Sequence, residues 1–227
     1  MKTTDFDYEL PKELIAQHPL TQRDAARMLV LDPAADTVTH SAVKELPGFL
    51  HEGDLVVVND TRVLPARLHG RREGGGEAEV LRLRRVDKDG SWEALLRPGR
   101  RLAAGARISF SDSALTVTIE AKDSDTARVR LGGLEDPLDE VRRIGEMPTP
   151  PYIKEKLRDG ERYQTVYSRH EGSAAAPTAG LHFTEELLEA LRAGGVEVAT
   201  VTLHVGLDTF RPVREEDPRE HLSLIHI

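Results

Sequence analysis

Apolar positions fall into short dense runs near the start of the chain, evenly spaced β-like pieces through the middle, and alternating strand and helix patterns toward the end. Residues 10–16 read as a short helix entered through Pro11, and residues 25–31 as a strand halted by Asp32-Pro33. Residues 54–59 form a compact Val/Leu run of the kind found in strands buried on both faces of a mostly parallel sheet. The run stops at Asn59-Asp60-Thr61-Arg62, and open α/β sheets bind ligands at the carboxyl ends of their strands.

From Ala66 the texture changes. Residues 77–84, 92–96, 107–110, 114–121 and 126–131 read as five strands separated by turn signals such as Gly74-Gly75-Gly76, Asp89-Gly90 and Gly132-Gly133. That spacing suggests a small barrel or sandwich. Residues 138–144 read as a closing helix stopped by Gly145, and Met147-Pro148-Thr149-Pro150-Pro151 as a stiff exit. The α/β texture then returns, with strands expected at 163–167 and 196–205. Between them a helix is expected at 185–193, capped by Thr184 and ended by Gly194-Gly195. The expected organisation is an α/β core, a sheet with helices, split by an inserted small β-barrel module. Residues 1–65 and 151–221 belong to the core, 66–150 to the module, and 222–227 to a tail.

Composition narrows the chemistry. The chain has no cysteine, which excludes disulfides, a thiolate nucleophile, zinc–thiolate sites and cysteine-held iron–sulfur clusters. Aromatic residues make up only 4%, so Leu, Val and Ala must fill the interior. No run approaches the roughly 18 apolar residues of a membrane span and the start has no apolar leader, so no membrane partner and a cytoplasmic location are expected. The net charge is −8, but residues 66–150 carry 16 Lys/Arg against 15 Asp/Glu, leaving 15 against 24 elsewhere. The middle segment is the basic one, and arginines such as Arg100 and Arg101 suit phosphates without reading sequence. A solvated charged face is the competing reading, because Glu73, Glu77, Glu79 and Glu93 lie among these arginines.

Three polar runs carry candidate chemistry. In Asn59-Asp60-Thr61-Arg62, the planar fork of Arg62 suits a carboxylate or phosphate, and Asp60 suits a ribose hydroxyl or a proton; a polar turn with a surface ion pair is the alternative. In Ala175-Ala176-Pro177-Thr178-Ala179-Gly180-Leu181-His182-Phe183, small residues allow close backbone approach, and the helix that follows offers unpaired N–H groups to an anion. His182 is there either a proton-transfer group or a packing residue. In Thr202-Leu203-His204-Val205-Gly206, His204 is either a general acid or base or a hydrogen-bonded strand histidine. Asp60, His182 and His204 are thus the catalytic candidates, and Arg62, Thr178, Gly180, Arg100 and Arg101 the substrate-binding ones; no metal site is expected.

Taken together, TDFDYELPKELIAQHPL, DLVVVNDTRVLPARLHGR, MPTPPYI, ERYQTVYS and APTAGLHFTEELLEALRAGGVEVATVTLHVGLDTFRPV resemble, in order and spacing, the queuosine-pathway S-adenosylmethionine:tRNA ribosyltransferase-isomerase family. The resemblance runs from Met1 to about His221. It implies transfer and isomerisation of the ribosyl group of S-adenosylmethionine onto 7-aminomethyl-7-deazaguanine at the tRNA wobble position. The product is epoxyqueuosine, with loss of adenine and methionine. It also implies proton removal from the ribose C5′ beside the sulfonium, with S-adenosylmethionine as co-substrate, no further cofactor, and a monomeric full-length enzyme. The competing reading is a noncatalytic tRNA- or RNA-binding barrel protein. Two departures stand out: Asp208 replaces a second glycine of the HVG-x-G-T-F turn, and Leu222-Ser223-Leu224-Ile225-His226-Ile227 does not continue the family pattern. The chain is therefore expected to be an N-terminal part, ending in a foreign tail and inactive alone.

Overall fold

The computed structural model describes residues 1–87, 90–123, 126–206, 213 and 215–221. Asp208 and the tail 222–227 lie outside the described residues. Near the start, β1 (Arg27–Asp32) and β2 (Thr37–Ala42) form an antiparallel hairpin. Its turn is fixed by Asp32 Oδ1, which accepts from the amides of Ala34 and Ala35. β3 (Leu55–Asn59) and β4 (Thr61–Val63) follow.

The insertion is a closed antiparallel barrel of six strands: β5 (Arg67–Arg72), β6 (Glu77–Arg85), β7 (Ser91–Arg97), β8 (Arg107–Ser109), β9 (Thr116–Lys122) and β10 (Ala127–Gly132). Alternate residues such as Leu68, Val80, Ile108, Val117, Ile119 and Val129 fill its interior. Where β5 meets β8, Gly70 has no room for a side chain: a β-carbon would stand 2.6 Å from the Ser109 carbonyl oxygen. Helix α1 (Pro137–Ile144), capped by Asp136, drives Val141 into the same core and stops at Gly145. The two ends of the insertion meet. Arg67 N donates to Glu146 O at 3.1 Å and Glu146 N to Arg67 O at 2.8 Å, closing the module with one β-bridge.

The core resumes with β11 (His170–Ser173), parallel to β4, then α2 (Glu185–Ala193) and β12 (Glu197–Val201), parallel to β3. The expected α/β core split by a barrel is therefore present, its parallel strands arranged as two separate pairs. Helix α2 buries Leu187, Leu188 and Leu191 and packs on β12 and on the 3-10 segment Val43–Phe49. No helix among the described residues is long and apolar enough to cross a membrane.

Four expectations are corrected. Residues 10–16 form only the 3-10 turn Lys12–Leu14, with Leu10 and Leu14 exposed. Residues 163–167 are not a strand but follow the 3-10 turn Gly160–Tyr163. There the side-chain amide of Gln164 bonds both the N–H and the C=O of Val63, taking the place of main-chain pairing. β12 ends at Val201 instead of continuing to 205, because Asp60 and Asn59 capture Thr202 and Leu203. β3 is buried on one face only: Val58 is 7% exposed but Leu55 and Val57, which alternate with it onto the other face, are 56% and 54% exposed.

Candidate active site

The junction between β3 and β4 gathers polar groups from four segments. Asn59 clamps the chain leaving β12, its Oδ1 accepting from Leu203 N at 3.1 Å and its Nδ2 donating to Leu203 O at 2.9 Å. Asp60 N–H donates to Val201 O, and Asp60 C=O accepts from the amides of Arg169 and His170. These bonds leave Asp60 buried between the two parallel pairs. Its Oδ1 accepts from the Thr202 hydroxyl at 2.6 Å, and its Oδ2 lies 3.7 Å from His170 Nε2.

Thr61, also buried, reaches the opposite way. Its hydroxyl lies 2.7 Å from His204 Nδ1, donor and acceptor roles following the tautomer. The His204 ring rests on Gly172, and a β-carbon there would stand 2.8 to 3.0 Å from its Cε1, Nε2 and Cδ2 atoms. Ser173 completes the floor, accepting from Val205 N and donating to Ala175 O. One dipeptide, Asp60-Thr61, thus holds an imidazole on either side.

Arg62 points into a separate polar chain. Its guanidinium donates to Ser168 Oγ at 3.0 Å and to the Glu161 carboxylate. The carbonyl of Glu161 accepts from Arg23, whose other amino group bonds Leu181 O at 2.9 Å. This relay connects Arg62 to the 3-10 turn Thr178–His182. On that turn Thr178 and His182 are exposed, while Gly180 is buried against Thr165 and the Tyr167 hydroxyl. Burial pushes the Tyr167 phenol up to about 12. Among the described residues no hydrogen bond or ion pair joins Thr178, Gly180 or His182 directly to the Asp60 cluster.

The structure therefore brings Asp60 and His204 together and places Arg62 beside them. His182, Thr178 and Gly180 stand one relay away. Arg100 and Arg101 lie on the exposed 3-10 turn Gly99–Arg101 of the barrel. Two of the N–H groups expected to be free at the start of α2 are used within the helix: Leu187 N donates to Thr184 Oγ1, and bonds from its own backbone N–H and from Thr184 hold the Glu186 carboxyl below its ordinary range. That helix end is capped from within.

Sequence reasoning missed His170, Thr202, Ser168 and Glu161. The signal for His170 was the polar stretch Tyr167-Ser168-Arg169-His170-Glu171 immediately before a small-residue turn, a pattern that also ends β3. On the barrel, Arg84 pairs with Glu93 and Arg67 lies 3.7 Å from Glu79, so part of the basic set is neutralised as the solvated-face reading expected. Arg71, Arg97, Arg100 and Arg101 have no ion pair among the described residues. Arg71 and Arg97 line a depression of about 680 Å³ with His69, Glu77 and Pro98, away from the Asp60 cluster.

The family described as queuosine biosynthesis protein matches residues 3–224 of this chain. The S-adenosylmethionine:tRNA ribosyltransferase-isomerase of Symbiobacterium thermophilum is 52% identical over 225 residues, and that of Acetivibrio thermocellus 51% identical over 226. Each alignment covers 97% of this chain and 65% of the relative, so the chain spans just under two thirds of the length of these curated relatives. A solved structure, S-adenosylmethionine tRNA ribosyltransferase from Thermotoga maritima, is 34% identical, with 88% of this chain and 58% of that chain covered at a TM-score of 0.37.

Proposed function

The chain belongs to the queuosine biosynthesis protein family, and on that premise we propose that it carries donor and tRNA chemistry for ribosyl transfer from S-adenosylmethionine. The ribosyl group is moved and isomerised onto 7-aminomethyl-7-deazaguanine at the tRNA wobble position, giving epoxyqueuosine and releasing adenine and methionine. The observation that carries this reading is the Asp60-Thr61 dipeptide set between His170 and His204, at the ends of two parallel strand pairs. The carboxyl ends of parallel strands, here those of β3 and β12, are where α/β proteins bind ligands.

The reaction needs a base for the C5′ hydrogen and polar groups for the departing adenine. Asp60, His170 and His204 form the cluster that supplies groups of both kinds. Arg62, held by Ser168 and Glu161, suits the donor carboxylate, which would exchange with Glu161 for the guanidinium. Thr178, Gly180 and His182 border the same relay and suit the donor's remaining polar groups. The unpaired barrel arginines, Arg100 and Arg101 among them, suit tRNA phosphates.

The test is adenine release from S-adenosylmethionine with tRNA bearing the deazaguanine base, by this chain joined to the C-terminal portion of the Acetivibrio relative, that relative serving as positive control. Release that depends on that base supports the reading. Tight tRNA binding with no release, while the relative turns over, favours a noncatalytic RNA-binding role for this chain.

A further inference from the structure

We infer that His170 is the proton acceptor of the site and that Asp60 is its positioning residue, an assignment that rests on the ribosyl-transfer reading. Three histidines compete for the role, and their surroundings differ. His182 is exposed and has no hydrogen bond or ion pair among the described residues. His204 is engaged at Nδ1 by a neutral hydroxyl, and its ring is laid against Gly172. His170 alone faces a carboxylate within the cluster.

The geometry of that pair is asymmetric in a useful way. The Asp60 side chain is 5% exposed and the His170 side chain 60%, so a buried anion stands behind an open imidazole. The His170 backbone cannot drift from Asp60, because its N–H and that of Arg169 both donate to the Asp60 carbonyl. Thr202 occupies Oδ1 and leaves Oδ2 for the imidazole. The 3.7 Å separation is longer than a hydrogen bond, and catalytic pairs commonly tighten only when substrate binds. With Nε2 turned to Asp60 and carrying the ring hydrogen, the lone pair of Nδ1 is left for substrate.

The step balances without a further reagent. The C5′–H bond of S-adenosylmethionine breaks, its electron pair stays on C5′ as an ylide stabilised by the adjacent sulfonium, and the proton forms an N–H bond at His170 Nδ1. The resulting imidazolium is compensated by the Asp60 carboxylate. His204, lacking an anion behind it, serves as a neutral hydrogen-bonding group and not as the acceptor.

Exchange of solvent deuterium into C5′ isolates this step from later ones, and adenine release reports the whole reaction. With the wild-type chain joined to the C-terminal portion of the Acetivibrio relative, S-adenosylmethionine and the deazaguanine tRNA, both should be observed, and each variant is made in that joined chain. H170Q should lower both by about 100-fold or more with KM nearly unchanged, while its melting midpoint stays at the wild-type value because the side chain is exposed. Added imidazole should restore exchange to H170A but not to the D60N/H170A double variant, whose melting midpoint should match that of H170A; a lost rescue accompanied by a lowered midpoint makes Asp60 structural and overturns its positioning role. Wild-type exchange in H170Q, or loss of exchange in H204Q alone, overturns the assignment while leaving the ribosyl-transfer reading intact. A joined chain without substitutions that shows neither exchange nor release, while the Acetivibrio relative shows both, overturns the reading, and the assignment falls with it.

Discussion

The imidazole of His204 lies against the α-carbon of Gly172, at a position where a β-carbon would stand 2.8 Å from Nε2, and Gly172 has φ +153. The strand β11 can pass the site only without a side chain at this point. G172A should push the ring off Thr61 and destabilise the chain by about 1–3 kcal/mol, the usual range for overpacking. Thermal unfolding checks the cost, and a double-mutant cycle checks the cause. In an H204A background the same alanine should cost less but not nothing, the remainder being the strain of a side chain at this φ; an equal cost in both backgrounds would place all of the strain in the backbone.

Arg82 is 3% exposed with Nε and Nη1 unpaired, and burial, followed by the charge of Arg142, lowers its guanidinium to about 10. Its compensation is the Trp92 ring, 4.0 Å away. Two orphaned donors cost about 1–3 kcal/mol each, and a desolvated cation–π contact returns about 2 kcal/mol. The penalty wins, so R82M should raise the melting midpoint. A drop instead would show that Arg82 has a partner worth more than the ring.

Much of this architecture was legible in the sequence where local signals agreed. Helix α2 was expected at the residues it occupies because Thr184 caps it and Gly194-Gly195 ends it. Five barrel strands were foreseen, but β5 was not, because Arg67-Leu68-His69-Gly70-Arg71-Arg72 turns little besides Leu68 inward and reads as a polar loop. At the site, Asp60 and His204 were legible as strand-end polar groups. His170 was not, because what gives it meaning is a parallel pairing with Thr61 across more than a hundred residues. The false strand at 163–167 has the same root: a side chain, Gln164, does there what a backbone usually does.

Glu140 pins α1 to the barrel, accepting from Arg143 Nε at 2.8 Å and from Ser113 Oγ at 2.5 Å. Those bonds, Arg143 first, hold its carboxyl down at about 2. A carboxyl depressed in the folded state stabilises above its unfolded value, near 4.3, and loses that contribution as pH falls toward about 2. The melting difference between wild type and E140Q should therefore be full at neutral pH and shrink between about pH 4 and pH 2. A difference independent of pH would mean that Glu140 acts through packing alone.

Arg100 and Arg101 stand exposed on the barrel turn after β7, with no ion pair among the described residues. If they meet tRNA phosphates, changing both to alanine should weaken binding uniformly across tRNA sequences and reduce the salt slope by roughly one for each lost contact. Affinity measured from low to moderate salt decides it. An unchanged slope assigns them to a solvated face.

The barrel is expected to fold without the rest of the chain. Its interior, from Leu68 to Val141, is built entirely from residues of the insertion, with α1 contributing the last of them. The Arg67–Glu146 bridge already brings its two ends within β-pairing distance, about 5 Å between α-carbons. What ties it to the core is modest by comparison: Leu81 and Leu95 against Leu64 and Ala174, and the Arg142–Glu171 ion pair at 3.0 Å. Burying two leucines gives about 1.5–3 kcal/mol each, and a half-exposed ion pair adds at most about 1 kcal/mol. Neither sum rivals a closed six-stranded core. Residues 66–147 expressed alone should melt cooperatively and give dispersed amide resonances, and L81S/L95S should improve their solubility without lowering the midpoint by much. In the reciprocal chain, a short Gly/Ser linker from Pro65 to Met147 should leave the two parallel pairs and α2 folded. A barrel that binds hydrophobic dye and melts without a transition would show that its core needs the docked α/β layer, and the division into modules would then be only geometric.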